Sequence, residues 1–161
     1  MSRHRRQWET FVRVALGADH HGDLYSGVCV IDRHDRLVHA QGCFPQESSP
    51  SFDVSQFSGA FAQLARRAIL ETRDAHREVN TSAKATTERR SDEDIAAFHF
   101  GGETFHIVQS TFASILAISK GQDRGLIVER LPFGIVVVAF QHPQRLEEVF
   151  PIVDKYCAMQ R

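Results

Sequence analysis

The sequence predicts an α+β domain built on an antiparallel sheet, and three observations point to it. Apolar residues recur at helical spacing in three stretches, near the start, in the middle and at the end of the chain. Short β-branched or aromatic runs bounded by turn residues fill the intervals, two before the middle helix and about five after it. With 161 residues, 42% of them hydrophobic, the chain suits a single domain over 1–161 that can enclose a core. Helix, two strands, helix, a run of strands and a last helix is the order of an antiparallel sheet with helices packed on it.

Each element has its own justification. Trp8, Phe11, Val12, Ala15 and Leu16 line a short amphipathic helix, with Gly17 as its stop. After a polar turn at Asp19–Asp23, Ser26–Asp32 and Leu37–Gln41 read as strands joined through Arg33–Arg36 in a hairpin. Cys43-Phe44-Pro45-Gln46 leaves the sheet, and Ser48–Ser51 is loop chemistry. Asp53 followed by Gln56 resembles a capping box that opens a helix over Val54–Leu70, with Phe57, Ala60, Phe61, Leu64 and Ala68 on one face. From Glu71 to Asp94 the apolar pattern stops, and charges, Thr and Ser dominate. The segment 71–94 reads as a solvated, mobile insertion, open to a helical extension over its first turns.

Phe98–Phe100 and Thr104–Val108 are aromatic and β-branched arms around Gly101-Gly102, a dipeptide that accepts the positive backbone angles of a tight hairpin turn. On the second arm, strand alternation puts Thr104, His106 and Val108 on one face and Phe105 and Ile107 on the other. Thr111–Ser119 and Leu126–Glu129 follow, joined by the turn Lys120–Gly125. Gly134–Phe140 is almost continuously apolar, as befits a strand covered on both faces. A last helical segment begins after Pro143 and carries Leu146, Val149, Phe150, Val153 and Cys157. Pro151 conflicts with one straight helix there, because an interior proline costs about 3 kcal/mol. Either the helix starts close to Val149 or it is kinked.

Composition excludes several classes of function. Nineteen Lys and Arg against twenty Asp and Glu give a net charge of −1, unlike the basic excess of a general nucleic-acid binder. No apolar run reaches the roughly 18 residues of a membrane span, and no signal core follows the basic start, so an intracellular chain is expected. Cys29, Cys43 and Cys157 lack paired metal spacing and read as reduced cytosolic thiols. Nine histidines include no His-x-x-x-His pair, and the adjacent His20 and His21 cannot easily face one ion. There is no Gly-x-Ser-x-Gly, no phosphate-cradling loop and no Gly-x-Gly-x-x-Gly. No enzyme, cofactor or metal site is expected.

In order, the motifs resemble those of the profilins. Trp8-Glu9-Thr10-Phe11-Val12 with Leu16 matches the family's opening Trp-x-x-Tyr-Val and Leu. Val38-His39-Ala40 and Phe44-Pro45 stand where a hairpin ends in Val-Trp-Ala and Phe-Pro, and Phe98–Gln109 is similar to the Leu-Gly-Gly-x-x-Tyr-x-Val-Ile ribbon. Lys120-Gly121 with Gly125 resembles the Lys-Gly-x-x-Gly turn with one extra residue; Ile135–Phe140 and the terminal helix complete the match.

The resemblance implies N- and C-terminal helices on one face of the sheet and the middle helix on the other. It also implies a cytoplasmic protein of the cytoskeleton that binds monomeric actin and regulates filament assembly. The actin-binding positions it implies are Thr104, His106, Ile107, Gln109, Lys120, Arg124, Glu147 and Phe150. A second surface, for proline-rich partners such as formin-type assembly factors, falls on Trp8, Phe11, His39 and Tyr156, with Lys155 as the alternative for the last. Flat aromatic faces suit such ligands, which are already extended. Here Phe11 lacks the family hydroxyl, His39 replaces a tryptophan and Arg161 a terminal tyrosine, so weakened proline-rich binding is expected. Arg3-His4-Arg5-Arg6, with the family's tendency to bind phosphoinositides, implies a weak lipid contact, at about 1 kcal/mol per basic residue. The 71–94 insertion has no counterpart in the compact members. A roadblock-like scaffold regulating small GTPases is the rival reading, and nucleotide-dependent GTPase binding would distinguish it.

Overall fold

The computed structural model describes residues 25–77 and 97–161. β1 (Gly27–Asp32) and β2 (Leu37–Gly42) form the first hairpin, α1 (Ser55–Arg77) follows, and β3 (Ala97–Phe100) and β4 (Glu103–Ser110) form the second. β5 (Ser114–Ser119), β6 (Arg124–Leu131) and β7 (Gly134–Gln141) then lead into α2 (Leu146–Ala158). The seven strands make one antiparallel sheet in the order β2-β1-β7-β6-β5-β4-β3. The expected N-terminal helix with Trp8 and Phe11, the basic residues Arg3–Arg6 and most of the 71–94 segment lie outside the described residues.

Alternation along the strands sorts the apolar side chains into two cores. Cys29, Ile31, Leu126, Val128, Ile135 and Val137 face α1, where they meet Phe57, Ala60 and Phe61. Val28, Val30, Ile127, Val136, Val138 and Phe140 face α2, where they meet Val149, Val153 and Cys157. The middle and C-terminal helices therefore cover opposite faces, as the predicted α+β architecture requires. β7 lies between both cores and is buried along all but its last residue, which explains its unbroken apolar run. Gly101 and Gly102 have φ of 60° and 76°, and Phe100 pairs with Glu103 across them, the two-residue turn expected of Gly-Gly.

α1 runs on past Leu70 to Arg77, the helical extension left open at the start of 71–94, because no Gly or Pro interrupts the chain where its apolar stripe ends. Other local details correct the sequence expectations. Ala68, expected on the buried stripe, is exposed. The capping box does not form: the Asp53 carboxylate accepts from Ser55 N at 3.0 Å and Ser55 Oγ at 2.6 Å. Gln56 instead clips the hairpin, donating to His99 O at 2.9 Å and accepting from His99 N at 2.8 Å. α2 begins at Leu146, so Pro151 is its sixth residue, and of the two alternatives a start near Val149 is excluded. With Val149, Val153 and Cys157 all fully buried, packing of this face holds the helix despite the missing N–H. No helix among the described residues is long and apolar enough to cross a membrane.

Candidate functional site

On the α2 side of the sheet, β4 and the β5–β6 ends extend beyond the cover of the helix. Strand register lines up Ala97, His106, Ile118, Gly125 and Phe140 as successive cross-strand neighbours. Gly125 is what makes the centre of this row flat. A Cβ there would stand 2.2 Å from the Phe140 ring, so the ring lies where a side chain would otherwise project. Ile118, Phe140 and Leu146 form the apolar floor of an open cleft of about 330 Å³, with Asp123, Arg124 and Glu147 at its edges. The turn beneath is braced: Ser119 Oγ donates to Asp123 at 3.1 Å and accepts from Arg124 N at 3.2 Å, while His142 N donates to Asp123 O at 2.7 Å.

Of the eight residues singled out in the sequence for this surface, two, Arg124 and Glu147, line the cleft. Arg124 also pairs with Glu103 at 3.2 Å, with 57% of its side chain exposed, so the pair is a weak surface contact that a partner can exchange. His106 is exposed beside Ile118, and Thr104 shares its face by alternation, with Thr104 Oγ1 3.3 Å from His99 Nδ1. Phe150 is half-buried against the α2 core, one turn beyond Leu146. Lys120 is exposed at the tip of the β5–β6 turn, outside the cleft lining.

Val108 and Gln109 depart from simple alternation. The register shifts between Ile107 and Gln109, which makes Val108 an extra residue and pairs Gln109 with Leu116 of the α2-side core. Gln109 therefore takes the place that alternation gave to Val108. Ile107 pairs with Ala117 and packs against the α1-side core, so it is turned away from this face. The floor residues Ile118, Phe140 and Leu146 were not singled out in the sequence; the signal for them is the glycine at 125 read with the cross-strand register.

The second predicted surface is described only in part. His39 lies opposite Val30 on edge strand β2, on the α2 side, with Nε2 2.9 Å from Gln41 Oε1. Tyr156 packs against the α2-side core while Lys155 is exposed, and the Lys155 ammonium stands 5.9 Å from the Tyr156 ring centroid. Tyr25, which the sequence reading missed, packs on the same core. Burial, then the neighbouring Tyr156 and Cys157, push its hydroxyl up to about 12. Trp8 and Phe11 lie outside the described residues.

The chain's last residue has an unexpected partner. Glu129 is fully buried on the α2 side of β6; Ser114 Oγ donates to its Oε2 at 2.7 Å, and Arg161 Nη2 donates to the same oxygen. Burial pushes the Glu129 carboxyl above the usual range, against the pull of Ser114 and Arg161. Burial likewise pushes the Cys29 and Cys157 thiols up, so neither is a reactive thiolate. Among the described residues no three His, Cys, Asp or Glu side chains are grouped to hold a metal.

No protein-family model matches the sequence, and no curated protein matches it. Solved structures do match in three dimensions. LokiProfilin1, in a crystal structure of its complex with rabbit actin, superposes with a TM-score of 0.61 at 12% identity, covering 99% of this chain and 95% of that one. LokiProfilin2, also in a complex with rabbit actin, gives 0.58 at 10% identity, covering 99% and 96%. Acanthamoeba castellanii profilin IA gives 0.59 at 14% identity, covering 94% of each chain. With its seven-stranded antiparallel sheet between two helices, this chain has a divergent profilin-like fold.

Proposed function

We propose that the chain binds monomeric actin through the face around Ile118, Phe140 and Leu146, and so regulates filament assembly in the cytoplasm as a non-enzymatic part of the cytoskeleton. One observation carries the reading. Arg124 and Glu147 line a cleft with Ile118, Phe140 and Leu146 on its floor, and exposed His106 pairs with Ile118 across the strands, in a fold similar to two profilins solved with rabbit actin. An apolar centre with a charged rim is the anatomy of a protein interface. The test is inhibition of actin pelleting by added protein. The wild-type chain should raise the unpolymerised fraction in proportion to its concentration, and Lys120→Glu with Phe150→Ala should abolish that effect while the domain stays folded. Undiminished inhibition by the double variant would remove this face from the proposal.

A weaker site for proline-rich partners, such as formin-type factors, is proposed at Tyr156 and His39, completed by Trp8 and Phe11. It rests on the aromatic packing of Tyr25 and Tyr156 beside α2. Trp8 is the single tryptophan of the chain. Titration with an octaproline peptide should change its fluorescence saturably, with low affinity because His39 offers less apolar area than tryptophan. A flat response at millimolar peptide would eliminate the site. A weak phosphoinositide contact through Arg3–Arg6 belongs to the same proposal.

A further inference from the structure

A second groove lies on the opposite side of the sheet, between α1 and the β4–β5 turn, away from both surfaces already described. Phe61, Leu64 and Ala68 of α1 form one wall, Thr111 and Phe112 the other, and Arg130 of β6 stands between them, enclosing about 330 Å³. Phe112 is 82% exposed, the most exposed large hydrophobic side chain described. It is nevertheless held in place, because the turn that carries it is braced from within. Thr111 N donates to Ser114 O at 2.7 Å, and Thr111 Oγ1 accepts from Ala113 N at 3.3 Å and Ser114 N at 3.0 Å.

Arg130 is set between the rings. Its guanidinium carbon is 4.4 Å from the Phe112 centroid and 5.4 Å from the Phe61 centroid. Its backbone is anchored as well, with N donating to Ala113 O at 2.8 Å and O accepting from Arg161 Nε at 3.3 Å. The ion pairs among the described residues are Arg124–Glu103 and Arg161–Glu129, so Arg130 carries its charge without a carboxylate. No acidic residue lines the groove. A guanidinium fixed by aromatic contacts loses little freedom on meeting a planar anion and can grip a carboxylate with two parallel hydrogen bonds. The apolar walls beside it call for an apolar side chain.

We propose that this groove docks an acidic peptide segment of a partner protein, one that places an aliphatic side chain against Leu64, Ala68 and Phe112 and an adjacent carboxylate on Arg130. Charge complementarity and a rigid, exposed aromatic wall are its basis, and it stands or falls independently of actin binding.

Nuclear magnetic resonance titration of the isotope-labelled full chain tests it, using an acetylated peptide of alternating Asp and Leu and a matched peptide with Asn for Asp. The acidic peptide should give saturable shifts at the Leu64, Ala68, Thr111 and Phe112 amides. Phe112→Ala and Arg130→Gln should each weaken it by about tenfold or more. Phe112→Ala is the safer variant, since the side chain it removes is exposed. Equal binding of the Asn peptide would overturn the proposal, as would shifts elsewhere or no saturation at millimolar concentration. Octaproline shifting the same amides, or a concentration-dependent dimer abolished by Phe112→Ala, would assign the groove to another occupant and overturn it equally.

Discussion

Replacing Ile118 with aspartate is expected to weaken binding of monomeric actin by about 100-fold, close to 2.7 kcal/mol, without unfolding the chain. Ile118 has His106 on one side and Gly125 on the other, and it shares the cleft floor with Phe140 and Leu146. Central, desolvated positions dominate interface energies, and an unpaired charge buried there loses hydration without gaining a partner. The fold should tolerate the change because Ile118 is half-buried at the rim of the sheet. Lys120→Glu offers the contrast. Lys120 is exposed at a turn tip, and its loss should act mainly on the association rate and its salt dependence. Calorimetric titration of actin monomers, with a thermal melt of each variant as control, measures both. Wild-type affinity in a folded Ile118→Asp protein would exclude this cleft as the centre of the interface.

What was legible in the sequence is what local periodicity encodes. Short β-branched and aromatic runs bounded by turns located the strands, Gly101-Gly102 located the β3–β4 hairpin at the sheet edge, and the unbroken apolar run of Gly134–Phe140 announced a strand with a helix on either side. What escaped depends on partners distant in sequence. The bulge at Val108 arises from how β4 meets β5, and it moved Gln109 onto the α2 side while alternation pointed to Val108. Gln56 carried a capping signal, yet its amide is used 43 residues away on His99. Glu129 reads as the polar end of a strand; its burial makes sense only beside Ser114 and Arg161. The same holds for the candidate face. Its rim residues lie in recognisable motifs, whereas its floor joins three strands and a helix start through cross-strand register that no single window of sequence contains.

Removing the guanidinium of Arg161 is the other change with a large expected effect, and its signature is pH dependence. Arg161→Ala leaves the fully buried Glu129 with the Ser114 hydroxyl on Oε2 and no partner on Oε1. Breaking a buried ion pair costs roughly 3–5 kcal/mol. Because the Arg161 side chain is 30% exposed and Glu129 can take up a proton instead, about 2–3 kcal/mol is expected near pH 7. The sign follows from linkage. Burial holds the Glu129 carboxyl above the 4.5 of an ordinary glutamate, so between those two values the folded state binds more protons than the unfolded one. Stability therefore falls as pH rises through that window and levels off above it. Losing Arg161 removes a pull that lowers the folded value, so in the variant the fall continues to higher pH. Urea unfolding should accordingly find the penalty of Arg161→Ala largest at about pH 8 and much reduced at about pH 4, where the carboxyl is protonated in both states. In a Glu129→Gln background the same substitution should cost much less at every pH, since an amide leaves no buried charge behind. An Arg161→Ala penalty independent of pH, or unchanged by Glu129→Gln, would mean that the arginine stabilises the end of α2 only through the Arg130 and Ala113 carbonyls it also touches.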